Sequence, residues 1–268
     1  MQDRLQWIRQ APESWCDWEA VRGGLEGHAL VAARYPQAHC HVHEPQPRMA
    51  QVAAAALPRP AWWKPSRWLS QAPDFGVPPD GSMQMLWSNM ALHMAADPQQ
   101  LFAQWHRALA VNGYVMFSCL GPDTVRELHS VYAAQGWPAA GHAFTDMHDW
   151  GDMLINAGFA EPVMDMERIT LTFATPERLL QELQELGCNL HPQRYAGLRT
   201  PRWRQALCNA LQAQAKPTAN GSELALTFEI IYGHAFKPPS RHKLGAQTEV
   251  SLDDMRNMLK AKAPPLQS

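Results

Sequence analysis

Apolar and polar positions follow two alternating periods in the first part of the chain, and these predict alternating strands and helices. The stretches 14–21 and 38–44 have strand-like patterns, and each precedes a helical stretch that ends at a proline, Pro36 or Pro58. The stretch YVMFSCL at 114–120 is almost wholly apolar, as is typical of a strand buried on both faces. Strands that alternate with helices over the first ~120 residues predict an α/β fold, a doubly wound, Rossmann-like, mostly parallel sheet.

Glycine, asparagine and capping residues indicate where the helices begin and end. The helix predicted from Pro98 is expected to end at Asn112-Gly113. In the second half, Asp146 and Thr175 are expected to be helix N-caps, because their side-chain oxygens can accept from free backbone N–H groups. Gly158 is expected to end the helix that Asp146 begins.

The second half also changes in organisation. Strands are predicted over 163–173 and 223–236, with helices between them. We expect residues 1–240 to form one domain, in which 145–215 include a helical insertion on the substrate side. The Pro-, Lys- and Gln-rich residues 241–268 are expected to be a flexible tail.

Composition excludes several classes of protein. The formal net charge is −2, which argues against nucleic-acid binding through bulk charge. The sequence contains no window of ~18 consecutive apolar residues, so no membrane span is predicted. The charged start lacks the apolar core of a signal peptide. Five scattered cysteines form no Cys-x-x-Cys pair, so neither a disulfide framework nor a zinc site is expected. We therefore expect a cytoplasmic protein.

Candidate ligand-binding positions follow several of the predicted strands. In a parallel sheet the binding crevice lies beyond the carboxyl ends of the strands. Those ends fall at Gly23, at Glu44 and in the segments 71–74, 88–92 and 118–123. The sequence therefore predicts that these positions meet in one cleft.

The turn after the first strand has the layout of a nucleotide-binding turn without its usual spacing. The Gly-x-Gly-x-x-Gly fingerprint is not matched, since RGGLEG provides Gly23, Gly24 and Gly27 instead. Glu44 follows Gly23 by ~21 positions, where an acidic side chain commonly accepts hydrogen bonds from ribose hydroxyls. A solvated glutamate at a strand end is the alternative, and the strand–turn–helix before it favours the ribose role.

Three alternating histidines raise the question of a metal. His39, His41 and His43 would share one face of the second strand, a geometry that can hold zinc. A fourth ligand would have to come from elsewhere, and the segment already reads as a sheet strand. We therefore predict no metal.

Segments in both halves carry a family resemblance. MLWSNMALHMAADPQQLFAQWHRALAVNGYVMFSCLGPDTVREL resembles the class I S-adenosylmethionine-dependent methyltransferases. The segments FTDMHDWGDMLINAGFAEPVMDMERITLTF, YAGLRTPRWRQAL and FEIIYGHAFKP are similar to the malonyl-acyl-carrier-protein O-methyltransferases of biotin synthesis. The similarity runs from about Arg4 to Pro238, nearly the whole chain.

The resemblance implies a seven-stranded sheet whose last strand is antiparallel, with S-adenosylmethionine in the cleft. It also implies methylation of the free carboxylate of a malonyl thioester on acyl carrier protein, so that the chain can enter fatty-acid elongation towards biotin. A carboxylate is already a nucleophile, so catalysis needs alignment and desolvation and no catalytic triad. No catalytic residue is assigned.

The same resemblance implies roles for individual residues. Glu19 falls on an acidic residue at the end of the first strand, Gly23 on the central glycine of the donor turn, and Glu44 on the ribose-binding acid. The segment that lines the methionine moiety of the donor gives Asn89, Met90 and Leu92.

On the substrate side, the motif GPDT makes Asp123 and Thr124 candidates for substrate binding. A malonyl carboxylate would pair with an arginine, for which the candidates are Arg199, Arg202 and Arg204. Arg199 is the first of these, and solvated helix charges are the alternative for all three.

Three departures from the family pattern affect the donor site. Val21 and Leu25 stand where the turn normally has glycines, which permit positive φ and close approach, so we expect them to obstruct the amino-acid end of the donor. Ala72 aligns with the acid that meets the adenine amino group, and Asp74 can serve only if the loop shifts by two residues. The N-terminal helix that closes over the donor is also expected to be missing.

Two functions from different classes remain open at this point. The first is an active carboxyl methyltransferase that acts on an acyl-carrier-protein thioester. The second is a catalytically degenerate member of the fold that binds a carrier protein or another partner. A methyltransferase with another small acid as substrate is a third, weaker option.

Overall fold

Eight strands and eight α-helices make up the described part of the computed structural model, which covers residues 1–57, 72–187, 189, 191–218 and 221–239. The strands are β1 (Ser14–Trp18), β2 (His39–His43), β3 (Asp74–Phe75), β4 (Met83–Ser88), β5 (Leu109–Leu120), β6 (Ala160–Phe173), β7 (Lys216–Thr218) and β8 (Gly221–Phe236). The helices are α1 (Ala20–Gly23), α2 (Leu25–Arg34), α3 (Pro47–Ala56), α4 (Pro98–Ala108), α5 (Arg126–Ala134), α6 (Met147–Asn156), α7 (Pro176–Leu186) and α8 (Pro201–Gln212). Short 3-10 helices span Gln2–Trp7 and Leu92–Met94.

The strands form one mixed sheet in the order β3-β2-β1-β4-β5-β8-β6. The first five strands pair in parallel, and β8 runs antiparallel to both β5 and β6. Within the described residues β3 and β6 are the edge strands, and β7 pairs with β8 alone. The predicted doubly wound sheet with an antiparallel last strand is therefore confirmed, with β7 as an added short strand.

Three apolar cores hold the fold together. The first core lies between the sheet and helices α4 and α6, and the second lies on the other face beneath α2, α3 and the N-terminal 3-10 helix. The third core packs α5, α7 and α8 against parts of β6 and β8 that lie past β5, because β5 stops pairing at Leu120 whereas β6 and β8 pair on to Phe173 and Leu224. The third core therefore lies beyond the carboxyl end of β5.

The sequence predicted that Asn112-Gly113 ends a helix, and this prediction is wrong. Helix α4 ends at Ala108, and β5 begins at the next residue. Asn112 has a φ of +64° within β5, and its N–H donates to the carbonyl of Lys237. The pairing of β4 with β5 changes register here, between Met83 and Met85. Asparagine and glycine thus mark an irregularity inside a strand, where a left-handed residue is also needed.

The other helix signals fall where the sequence put them. Asp146 accepts from the N–H of His148, and Thr175 accepts from the N–H of Arg178, so both act as N-caps. Gly158 has a φ of +96° just after α6. The first strand is shorter than predicted, because residues 20–23 turn into α1.

Met1–Pro238 form one compact unit. The predicted insertion over 145–215 contains one helix, α6, that packs against the central sheet, because its residues Trp150 and Leu154 lie in the first core. The predicted tail, 241–268, lies outside the described residues. No helix in the described segments is long and apolar enough to cross a membrane.

Candidate functional site

Side chains from β1, β2, β4 and β5 are linked at the carboxyl edge of the sheet. The N–H of Glu19 donates to the carbonyl of His43 at 2.8 Å, which joins the ends of β1 and β2. The amide of Asn89 donates to the carbonyl of Gly23 and accepts from the hydroxyl of Ser118 at 2.6 Å. The predicted meeting of strand ends is therefore present for these positions.

The turn after β1 is a short helix held by two carboxylates. Glu44 Oε1 accepts from the N–H of Val21 at 2.7 Å, at the beginning of α1. Glu19 precedes α1 in a left-handed conformation, with a φ of +62°, and its Oε2 accepts from Nε of Arg22 at 2.7 Å. The turn therefore presents paired opposite charges, with the Glu19 and Arg22 side chains 20% and 35% exposed.

The expected obstruction by Val21 and Leu25 is wrong in its physical premise. Both residues lie within helices, so their backbones do not need the positive φ that favours glycine. Both side chains pack against the second core. The left-handed positions of the turn are instead Glu19 and Gly24, with φ of +62° and +88°.

Gly23 allows the turn to approach the end of β4 closely. A Cβ added to Gly23 would lie 3.0 Å from the carbonyl oxygen of Asn89 and 3.1 Å from its Cβ. Such distances are shorter than ordinary van der Waals contacts. A side chain at this position would push the turn away from Asn89, so glycine is needed here for proximity.

Glu44 keeps binding capacity in a partly buried position. Burial raises the pKa of its carboxyl group, and the hydrogen bond from Val21 opposes that shift. Within the described part of the chain no hydrogen bond is recorded for Oε2, whereas Oε1 accepts from Val21. One carboxylate oxygen is therefore available to a ligand hydroxyl.

The segment after β4 lies beside the turn, with different exposures along it. Met90 has a φ of +53°, and its N–H donates to the carbonyl and hydroxyl oxygens of Ser118. Leu92 is fully buried in the first core, so its side chain serves packing. Burial, and then the charge of Arg22, lowers the pKa of His93 to about 4, so this histidine is neutral near pH 7.

Asp74 is not brought into this group. Its Oδ2 lies 2.8 Å from Nε2 of His39, the first residue of β2. Glu44 directly follows the last residue of β2, so the two carboxylates lie at opposite ends of this strand. His41 and His43 each donate to the carbonyl of Gly76 at 3.0 Å. The three histidines of β2 thus fasten β3 and the turn after it, and the described residues contain no cluster with the arrangement of a metal site.

On the substrate side the predicted residues have different surroundings. Asp123 accepts from Arg168 at 2.8 Å and lies 3.4 Å from Arg126. Thr124 is buried, and its hydroxyl both donates to and accepts from the backbone of Glu229 at 3.2 Å. That hydroxyl is therefore used within the fold to fix β8, and substrate binding by Thr124 stays a prediction.

Arg199 lies on an aromatic surface. Its guanidinium carbon is 4.2 Å from the ring centre of Tyr195 and 4.1 Å from that of Trp203. Stacking of this kind holds the side chain while leaving its N–H groups able to bind an anion. The geometry therefore leaves Arg199 as a candidate for a carboxylate, without bringing it to Glu19 or Glu44.

Sequence reasoning missed a buried hydrogen-bonded pair under the turn. Asp17 of β1 is 2% exposed, and its Oδ2 lies 2.8 Å from Nδ1 of His28 on α2. Burial raises the pKa of Asp17, and the hydrogen bond with His28 opposes the shift. A carboxylate inside an apolar strand was the available signal. The pair connects β1 to α2 on either side of the turn.

Comparison with known proteins identifies the class of the fold. The methyltransferase domain family matches residues 23–117, which contain Gly23, Glu44 and the end of β4. A Bacillus halodurans protein solved as a candidate methyltransferase has a TM-score of 0.56 at 16% identity, over 89% of this chain and 99% of that one. The fold is thus that of a class I methyltransferase.

Closer relatives define the family within that class. The malonyl-[acyl-carrier protein] O-methyltransferase of Laribacter hongkongensis is 35% identical, over 97% of this chain and 85% of that protein. The enzyme of the same name from Gallionella capsiferriformans is 36% identical, over 90% of this chain and 82% of that protein. The chain belongs to the malonyl-[acyl-carrier protein] O-methyltransferase family.

Proposed function

We propose that the protein uses S-adenosylmethionine to methylate the free carboxylate of a malonyl thioester carried by acyl carrier protein, a step of biotin precursor synthesis. The observation that carries the proposal is 35% identity to a relative of that name over almost the whole chain. The group of side chains at the carboxyl edge of the sheet supports it independently, because ligands of such folds bind there.

The chemistry of this group fits the donor. Glu44 offers one carboxylate oxygen to ribose hydroxyls. Glu19 and Arg22 present opposite charges, which match the ammonium and carboxylate groups of the amino-acid end. The backbone between the ribose contact and the amino-acid contact comes from Gly23, Asn89 and Met90. When bound, the donor would supply a methyl group on a positively charged sulfur, which is a good leaving group.

The residues on the acceptor side have a simpler task. A malonyl carboxylate is ionised and nucleophilic near pH 7, so no general base has to remove a proton from it. We assign Arg199 to orient this carboxylate. Asp123 stays a proposed substrate contact, and its carboxylate also holds Arg168 at 2.8 Å. The protein then contributes by aligning the carboxylate and excluding water.

The degenerate alternative has lost one of its two supports. It rested on the expected missing N-terminal helix and on Val21 and Leu25 as obstacles, and both of these side chains pack against the second core. Asp74 remains a proposed adenine contact only through a rearrangement of its loop, because it binds His39. Glu44 and Asn89 are therefore the stronger candidates for donor contacts.

Calorimetric titration with S-adenosylmethionine and its demethylated product tests donor binding. We expect binding by the wild type and about tenfold weaker binding by Glu44→Gln, which removes a charge worth ~1.4 kcal/mol to the hydroxyl hydrogen bonds. Incubation of the protein and donor with malonyl-[acyl-carrier protein] should add one methyl group to the carrier-bound substrate, which mass spectrometry detects. No heat up to millimolar donor would refute the proposal, and donor binding without methylation of this substrate would leave the third hypothesis, another small acid.

A further inference from the structure

One long stretch of the chain has positive charge and no acidic residue. Residues 187–222 contain no Asp or Glu, although the whole chain has 25 acidic residues and a net charge of −2. The same stretch contains Arg194, Arg199, Arg202, Arg204 and Lys216. Such a segregation of charge within a slightly acidic protein indicates a local surface that attracts an acidic partner.

The arginines are concentrated on the loop before α8 and on its first turn. Arg194 and Arg202 are exposed, and no ion pair with a carboxylate is recorded for either one within the described ranges. Arg194 instead donates to the carbonyl of His191 at 3.2 Å. Their charges are therefore not neutralised by the fold.

The surface also has an apolar component that the fold does not cover. Leu198 is 95% exposed and Tyr195 is 49% exposed, and they lie between Arg194 and Arg202 in the chain. Binding surfaces typically combine exposed apolar and aromatic anchors with arginine. We call Arg194, Tyr195, Leu198 and Arg202 the arginine surface.

An aromatic base gives this surface a fixed position. The guanidinium of Arg199 lies over the rings of Tyr195 and Trp203, which ties the loop to α8. The Trp203 ring contacts Trp137 and the α5 residue Tyr132, with ring centres 5.4 and 6.2 Å away. Because α5 and α8 share the third core, the arginine surface belongs to the part of the fold beyond the carboxyl end of β5.

We propose that the arginine surface is the docking site for the acidic surface of the carrier protein that holds the malonyl thioester. This inference rests on the proposed function and adds the location of the partner to it. Arg194 and Arg202 would attract the acidic side chains, and Leu198 would be covered at the centre of the contact.

The test compares a protein-bound substrate with a small one. Arg194→Gln should raise KM for malonyl-[acyl-carrier protein] about threefold and flatten its dependence on ionic strength. The kinetics with malonyl-pantetheine, which lacks the carrier protein, should stay unchanged, as should the affinity for the donor. Leu198→Ser should raise KM for the carrier-bound substrate alone, without changing the salt dependence.

A matched control removes the same charge elsewhere. Arg34 is exposed at the last residue of α2, and Arg34→Gln should leave all these values unchanged. Equal losses on both substrates, or no change on either, would overturn the docking assignment. So would equally tight binding of a DNA duplex, since the surface would then recognise any polyanion.

A direct binding measurement separates this inference from the proposed function. Fluorescence anisotropy with labelled acyl carrier protein, without malonyl group or donor, reports docking even if methyl transfer fails. Wild-type binding that Arg194→Gln weakens supports the docking site whatever the enzyme assay shows. Unchanged binding by Arg194→Gln and by Leu198→Ser refutes the site while leaving the methyltransferase proposal intact.

Discussion

At the residue scale, Glu19 lowers the stability of the fold while providing a charge that can bind the donor. Its φ of +62° lies in the left-handed region, which costs a non-glycine residue roughly 1 kcal/mol. The ion pair with Arg22 is partly exposed, and such pairs contribute about 0–1 kcal/mol. The residue therefore costs stability, and we attribute its presence to binding the ammonium group of the donor.

Glu19→Gly should reveal that cost. We expect the free energy of unfolding in urea to rise by about 0.5–1 kcal/mol, because glycine relieves the left-handed strain. Binding of S-adenosylmethionine should weaken several-fold, whereas binding of 5′-methylthioadenosine, which lacks the amino-acid end, should not change.

Glu19→Gln is the control for this prediction. It keeps the strained backbone and removes the charge, so it should weaken donor binding without raising stability. If Glu19→Gly instead destabilised the protein, the ion pair with Arg22 would outweigh the strain.

The sequence predicted individual site residues when their position in an element was itself the signal. Glu44 became a candidate because it directly follows a strand, at the edge where ligands bind. The Asp17–His28 pair was missed because its residues belong to different elements, and only packing brings them to 2.8 Å. The sequence motif that made Thr124 a candidate does not give the direction of its hydroxyl, which bonds to the backbone of Glu229.

At the element scale, two of the family-specific motifs hold strands together. GPDT follows β5, and YGHAFKP ends β8, which pairs with β5. A Cβ on Gly121 would lie 2.3 Å from the Glu229 carboxylate, and one on Gly233 would lie 2.3 Å from the Phe117 ring. Both glycines are needed for close packing, so these motifs identify the family through its fold and carry little direct information about the reaction.

The turn itself provides a matched pair of glycines. Gly23→Ala should weaken donor binding about tenfold, because its Cβ would meet the Asn89 backbone at 3.0 Å and displace the turn. Gly27→Ala should be neutral or stabilise by up to about 1 kcal/mol, since its nearest neighbour would be 3.9 Å away and alanine favours helices. Calorimetry and thermal unfolding of both variants give the comparison, and equal donor affinities would show that proximity to Asn89 is unimportant.

Element type was more predictable than element boundaries. Periodicity and caps gave α6 and α7 directly, since Asp146 and Thr175 act locally. Asn112-Gly113 was misread because a left-handed residue is needed at a helix end and also at an irregularity in a strand. The hydrogen bond to Lys237 decides between the two, and it is a contact distant in sequence.

At the scale of the whole molecule, Glu127 links the third core to the sheet. It accepts from the N–H and the hydroxyl of Thr227 on β8, at 2.9 and 2.6 Å. Burial alone would raise the pKa of Glu127, but the hydrogen bonds from Thr227 outweigh it, and the pKa lies below its ordinary value of 4.5. The ionised form is therefore the one that the folded state prefers.

This preference predicts a dependence of stability on pH. The stabilisation from Glu127 is fully present above its unfolded pKa and is lost as pH falls through the lower folded pKa. Glu127→Gln should cost about 1–2 kcal/mol at pH 7 in urea unfolding, and the difference should shrink below pH ~4. A difference that stayed constant from pH 7 to pH 3 would show that charge is irrelevant at this contact.

The outer edge of β6 has a consequence for how the protein behaves in a crowded solution. A free strand edge can pair with the edge of another molecule and begin aggregation. Pro162 lacks an N–H, and the pairing of β6 with β8 shifts register between Ala160 and Val163, so the ladder is broken at this end. Asp165 and Glu167 add charge further along. The first half of this long edge strand is thus also a poor template for fibril growth.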